Sequence, residues 1–163
     1  LNIHRVPTFI FYKNGEEINR IVEYPKETFE HDVKNIMKGK YTSNYLAANY
    51  LKGLITNNDI DSLNALENTL VPRLAEFVKG SRELNTLGYV SLRARKIEEA
   101  IYIFALNAKI FPYKYSVYDS LAEAYFASEN YNEALKNYYK VLSLKPDSEN
   151  AIEMIERINE KLD

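Results

Sequence analysis

The chain aligns on itself at an offset of 34 residues. Leu87-Gly88 falls on Leu121-Ala122, Ala100 on Ala134, Phe104 on Tyr138, and Pro112 on Pro146. A fixed period of this length marks a stacked repeat. One supersecondary unit cannot bury its own apolar face, so it covers the face of the next. Each unit here reads as two helices joined by a turn, which commits the second half of the chain to a helical solenoid.

The spacing has a steric reason. Gly88, Ala100, Ala122 and Ala134 fall where two antiparallel helices come closest, so only small side chains fit. The larger residues between them fill the inter-helix groove, and Pro112 and Pro146 end the second helix of each pair. The pattern predicts helices at about 82–94, 97–110, 116–128 and 131–144. A further helix, Ser148 to Leu162, shows Ile152, Ile155, Ile158 and Leu162 as its apolar face, with Asp147 as its cap. A solenoid end needs such a cover.

Upstream, residues 44–56 and Ile60 to Val78 have helical period, separated by Asn57-Asn58-Asp59. Pro72 is expected to kink the second of these or split it just before Val71. Gly80-Ser81 reads as a stop followed by an N-cap. A register shift of 34 puts Leu54 and Leu66 where small residues belong, so residues 41–80 read as a helical hairpin that caps or extends the array.

The first forty residues have a different pattern. Val6 to Tyr12 (VPTFIFY) reads as a strand buried on both faces. Asn14-Gly15 is a hairpin turn signal, and Ile18 to Tyr24 is a second strand that Pro25 stops. Lys26 to Lys38 is a helix with Phe29, Val33, Ile36 and Met37 on one stripe, closed by Gly39. With no partner on its outer side, the first strand would expose an apolar edge that invites pairing, so either a partner segment has been removed or two copies pair as a homodimer.

Composition removes several classes of function. The chain has no Cys, which excludes disulfides, thiolate zinc sites and dithiol chemistry by these residues alone. It carries 21 basic and 23 acidic side chains, giving no electrostatic case for nucleic acid. No segment reaches the ~18 apolar residues of a membrane span. His4 and His31 lack a second ligand at helical spacing and read as surface residues. Glu16-Glu17 flank a turn, and Glu98-Glu99 open a helix, where they favour its dipole. Arg93, Arg95 and Lys96 cluster at a helix end. Ser120 is a repeat residue, with no nucleophile elbow around it. No catalytic residue, metal ligand or cofactor is expected. A first residue of Leu, without signal-peptide features, suggests a fragment of a longer protein.

Two resemblances follow. Residues 81–146 resemble two tetratricopeptide repeats: Tyr118-x2-Leu121-Ala122-x2-Tyr125, Ala134-x3-Tyr138 and Pro146 in one copy, Leu84-x2-Leu87-Gly88-x2-Ser91, Ala100-x3-Phe104 and Pro112 in the other. Ser91 departs from the usual large aromatic. The stretch from Leu106 through Tyr125 is also similar to an accessory helical tail of many bacterial hydrolases and exported proteins. The resemblance implies a peptide groove lined by positions 5 and 9 of each first helix, which here are Asn85, Tyr89, Asp119 and Glu123. Two acids in that groove fit a basic or polar-aromatic peptide better than an acidic C-terminus. The alternative is that they only solvate the groove or pair locally.

Residues 1–38 resemble the second half of a thioredoxin fold. In that family the Val-Pro bond is cis and the backbone beside it contacts substrate, which would give Val6, Pro7 and Thr8 that role. Glu23-Tyr24-Pro25 replaces the family's glycine, and the half with Cys-x-x-Cys is absent.

The expected architecture is mainly α: a tetratricopeptide-like helical-hairpin solenoid after a ββα unit resembling half a thioredoxin fold. Its parts are residues 1–40, a hairpin at 41–80, repeats at 81–114 and 115–148, and a capping helix at 148–163. The expected function is a non-catalytic protein–protein interaction module of a longer thioredoxin-like protein. One alternative is the substrate-presenting part of a thiol-disulfide oxidoreductase. Another is a purely structural role for the helices, docking on the thioredoxin half or dimerising the protein. Cytoplasm and periplasm both remain open.

Overall fold

The computed structural model describes residues 8–22, 28–40 and 46–162. Strands β1 (Thr8–Lys13) and β2 (Glu16–Val22) pair antiparallel, with a register irregularity between Phe11 and Tyr12. Asn14 and Gly15 both have positive φ, 54° and 84°, as a tight primed turn requires. Helix α1 (Phe29–Met37) starts at Thr28, whose side chain accepts the His31 N–H at 3.2 Å. Gly39, at φ 67°, closes it, and the Lys40 N–H reaches back to the Asn35 carbonyl at 2.8 Å.

The small core of this unit is Ile21 and Ile36, with Phe11 and Val33 against them. Here the strand departs from expectation. Phe9 is 46% exposed and Tyr12 53%, so β1 is not buried on both faces. The one cover found among the described residues is α1, whose Phe29 ring meets Phe9 at 4.7 Å. Met37 also leaves its predicted stripe for solvent, while Asp32 is buried. Val6 and Pro7 lie outside the described residues, as does His4.

Helices α2 (Leu46–Asn57), α3 (Ile60–Ala65) and α4 (Glu67–Phe77) follow. The helix does not split before Val71, one of the two outcomes expected of Pro72. The chain breaks at Leu66, and Pro72 lies inside α4. Pro72 and Asn68 are both exposed, so the hydrogen bond that proline denies the Asn68 carbonyl is lost on the solvent side. Leu66 sits where the register wants a small residue. It cannot enter the close approach, and the helix opens there and leaves it 55% exposed.

Beyond this the period is literal. Helices α5 (Ser81–Arg93) and α6 (Ile97–Ile110) are repeated 34 residues on by α7 (Tyr115–Ala127) and α8 (Tyr131–Leu144). Helix α9 (Glu149–Leu162) starts one more period after α7. The left-handed residues that close α5 and α7, Arg95 and Glu129, are also equivalent, at φ 59° and 61°. Gly88 shows why the small positions matter. A methyl there would collide with Cε1 of Phe104 and stand 2.7 Å from its Cδ1 and Cζ. Ala100, Ala122 and Ala134 are fully buried. Ser91, the departure from the pattern, is buried and bonded to Glu99 Oε1 at 2.6 Å.

Two helix starts need correction. Ser81 does not cap α5, whose cap position is Gly80, in extended backbone. Ser148, not Asp147, starts α9: its carbonyl accepts the Ile152 N–H at 3.1 Å. The buried stripe of α9 is Ala151, Ile155 and Ile158, spaced i, i+4 and i+7, which leaves Ile152 and Leu162 on its exposed flanks.

Candidate functional site

The first helix of each pair contacts the first helix of the next: α2 lies against α5, and α5 against α7. Side chains tie this layer together. Glu83, nearly fully buried, accepts the Ala48 N–H at 3.0 Å and the Lys79 N–H at 3.1 Å. One carboxylate on α5 thus satisfies a free donor in the first turn of α2, a cap supplied from 35 residues away. Burial raises the Glu83 pKa, opposed by these N–H groups and the Lys79 charge.

The next tie crosses from α5 to α7. Tyr89 Oη lies 2.7 Å from Glu123 Oε2 and 3.2 Å from Ser120 Oγ. The single phenolic proton goes to the carboxylate, the shorter and charge-assisted bond. Burial, with the Glu123 and Asp119 charges adding to it, pushes the Tyr89 pKa up to about 12. The third tie joins α7 to α9: the Asn150 amide donates to Asp119 Oδ1 at 2.8 Å.

Tyr138 reaches this layer from α8. Its ring is packed in the core with Ala122, Val141, Ala151 and Ile158. Burial raises its pKa, and the charges of Asp119 and Glu123 add to that, with Arg157 opposing. Its hydroxyl therefore stands in the field of both acids.

The structure brings Tyr89, Asp119 and Glu123 into one network. Asn85, a turn before Tyr89, is half-buried, and its Oδ1 is buried without a partner. Thr8 opens β1, and Val6 and Pro7 lie outside the described residues. The repeat pattern places Tyr138 among the large residues that fill the inter-helix groove, and it does not single out Glu83 or Asn150. The available signal at 138 was a phenol at a position where phenylalanine packs equally well.

The other candidates have ordinary surroundings. His31 is exposed, 3.4 Å from the Asn35 amide. Glu99 bonds Ser91 and pairs with Lys96 at 3.1 Å. Among the described residues no group of three His, Cys, Asp or Glu could hold a metal ion, and no helix is long and apolar enough to cross a membrane.

No protein-family model and no curated protein matches the chain. A solved structure of a mutant of MamA, a tetratricopeptide-repeat protein, matches with a TM-score of 0.53 at 18% identity, over 73% of this chain and 82% of that one. The fold is a tetratricopeptide-like stack of helical hairpins. The thioredoxin resemblance of the N-terminal segment finds no support in these comparisons.

Proposed function

We propose that the chain is a non-catalytic interaction scaffold that holds an extended segment of a partner protein against the face made by α5, α7 and α9. The observation carrying this reading is the Tyr89–Glu123 bond together with the Asp119–Asn150 bond. They hold three first helices side by side and arrange polar groups along one surface, as a peptide backbone and its side chains need. Residues 46–77 extend the same layer as a degenerate repeat, with Glu83 as the joint.

The test is hydrogen exchange on the full chain, with and without a peptide selected on it from a randomised library. Protection confined to α5, α7 and α9 supports the reading. Protection on the outer helices α6 and α8, or on the N-terminal strands, counts against it.

A second reading rests on the strand–strand–helix order of residues 8–37. This is the order expected of a thioredoxin second half, and it would make the repeats the client-presenting part of a thiol-disulfide oxidoreductase, with Val6, Pro7 and Thr8 beside the substrate. Titration of thiols in the complete reading frame tests it: a cycling pair supports it, and none removes it. The outer edge of β1 offers a homodimer contact, which sedimentation of the chain would show.

A further inference from the structure

We propose that the partner segment presents a lysine or arginine whose cation is held between Asp119 and Glu123, with the Tyr138 hydroxyl beneath it. The inference rests on the groove reading above and names the chemistry of its ligand.

The two carboxylates stand one turn apart on α7. Their hydrogen-bond donors are neutral: the Tyr89 phenol for Glu123 and the Asn150 amide for Asp119. Among the described residues neither acid takes part in an ion pair. A neutral donor occupies a lone pair without cancelling the charge, so two adjacent negative charges remain. The cation that faces Tyr138 from α9 is Arg157, and its guanidinium lies over the Phe126 ring at 5.2 Å.

Tyr138 is the independent observation. It is only 1% exposed, and its hydroxyl makes no hydrogen bond to another described residue. The buried oxygens that lack a partner include Asn85 Oδ1 but not the Tyr138 hydroxyl, so the ring is enclosed while its oxygen reaches the surface. A hydroxyl open there without a protein partner, in the field of two acids, suits a ligand group that donates. An ammonium has three donors and a guanidinium five. Asp119, Glu123 and the Tyr138 oxygen offer three acceptors, and the unpartnered Asn85 Oδ1 is a fourth on the same layer.

A cleft of about 480 Å³ continues from the Asp119–Asn150 bond, lined also by Tyr115, Asp147 and Glu149. Its one basic residue, Lys145, has its ammonium over the Tyr115 ring at 4.9 Å. An acidic segment would meet like charge along this path, and a basic one would not.

The test pans a randomised peptide library on the full chain. The expected result is a lysine or arginine fixed at one position of the selected peptides. Replacing it with norleucine should weaken binding about tenfold, as should Glu123→Gln or Asp119→Asn. Tyr138→Phe deletes only the unpartnered hydroxyl, so the melting temperature should hold while affinity falls severalfold. Selected peptides that protect α5, α7 and α9 yet carry no cation, or that bind the Asp119→Asn/Glu123→Gln double variant as tightly, overturn this inference and leave the groove reading standing. Peptides that protect another surface, or no selection at all, overturn both.

Discussion

The Tyr89 hydroxyl on α5 donates a 2.7 Å hydrogen bond to Glu123 on α7, its own equivalent one repeat later. The same register position thus supplies a donor in one unit and an acceptor in the next. A periodic backbone with aperiodic side chains is what allows one unit to grip its neighbour.

Cutting that grip should loosen the stack. Tyr89→Phe keeps the ring against Phe104, 5.1 Å away and edge-on, and removes only the bond. The expected loss is about 1 kcal/mol, since the Glu123 end is exposed and water replaces part of the interaction. Urea unfolding of Tyr89→Phe, Glu123→Gln and the double variant checks it. The two single losses should sum to more than the loss in the double variant.

The same phenol predicts behaviour at high pH. Its folded pKa of about 12 lies above the ordinary 10.0, so the folded state holds the proton longer than the unfolded one. This contribution is complete below pH ~10 and is lost as pH rises toward 12. Thermal melts across that window should fall more steeply for the parent chain than for Tyr89→Phe.

Gly88→Ala should destabilise the protein although alanine is the better helix former. The propensity gain is about 1 kcal/mol. The added methyl meets the fully buried Phe104 ring, and overpacking of this kind costs about 1–3 kcal/mol or more when the neighbour cannot move. Denaturant midpoints decide the sign, and Phe104→Leu in the same chain should restore part of the loss.

Leu66 and Ala100 share a register position and should respond oppositely. Leu66→Ala, at a residue 55% exposed, should change stability by less than about 0.5 kcal/mol. Ala100→Leu fills a site with no exposure and should cost about 1–3 kcal/mol. Equal effects in unfolding experiments would contradict the steric account of the break at Leu66.

Glu83→Ala leaves the Ala48 and Lys79 N–H groups without their acceptor and should cost about 1–3 kcal/mol. Amide exchange should quicken first in α2. The Glu83 pKa is raised above 4.5, so its contribution favours folding at low pH and declines as pH rises through the folded value. Glu83→Gln should remove that slope from a pH–stability curve.

The helix pairs were legible because their constraint is local and steric. A small residue at 88, 100, 122 and 134, with large ones between, admits few packings. The break at Leu66 was misplaced because the proline rule was applied without knowing which side of α4 faces water. Glu83 escaped notice because a cap delivered across 35 residues depends on how helices stack, which no window of sequence contains. Tyr138 was half read: its ring belongs to the core, as its position implies, but its hydroxyl matters only once Asp119 and Glu123 stand beside it. The burial expected of VPTFIFY failed because an apolar run reports what a strand needs, and the described residues supply a cover for one face.

The most direct test of the account is backbone amide chemical-shift mapping of the full chain as a library-selected peptide is added. The account predicts the largest shifts on α5, α7 and α9, centred on Tyr89, Asp119 and Glu123, and weaker binding in Glu123→Gln. Shifts centred on α6 and α8, or on β1, would contradict it.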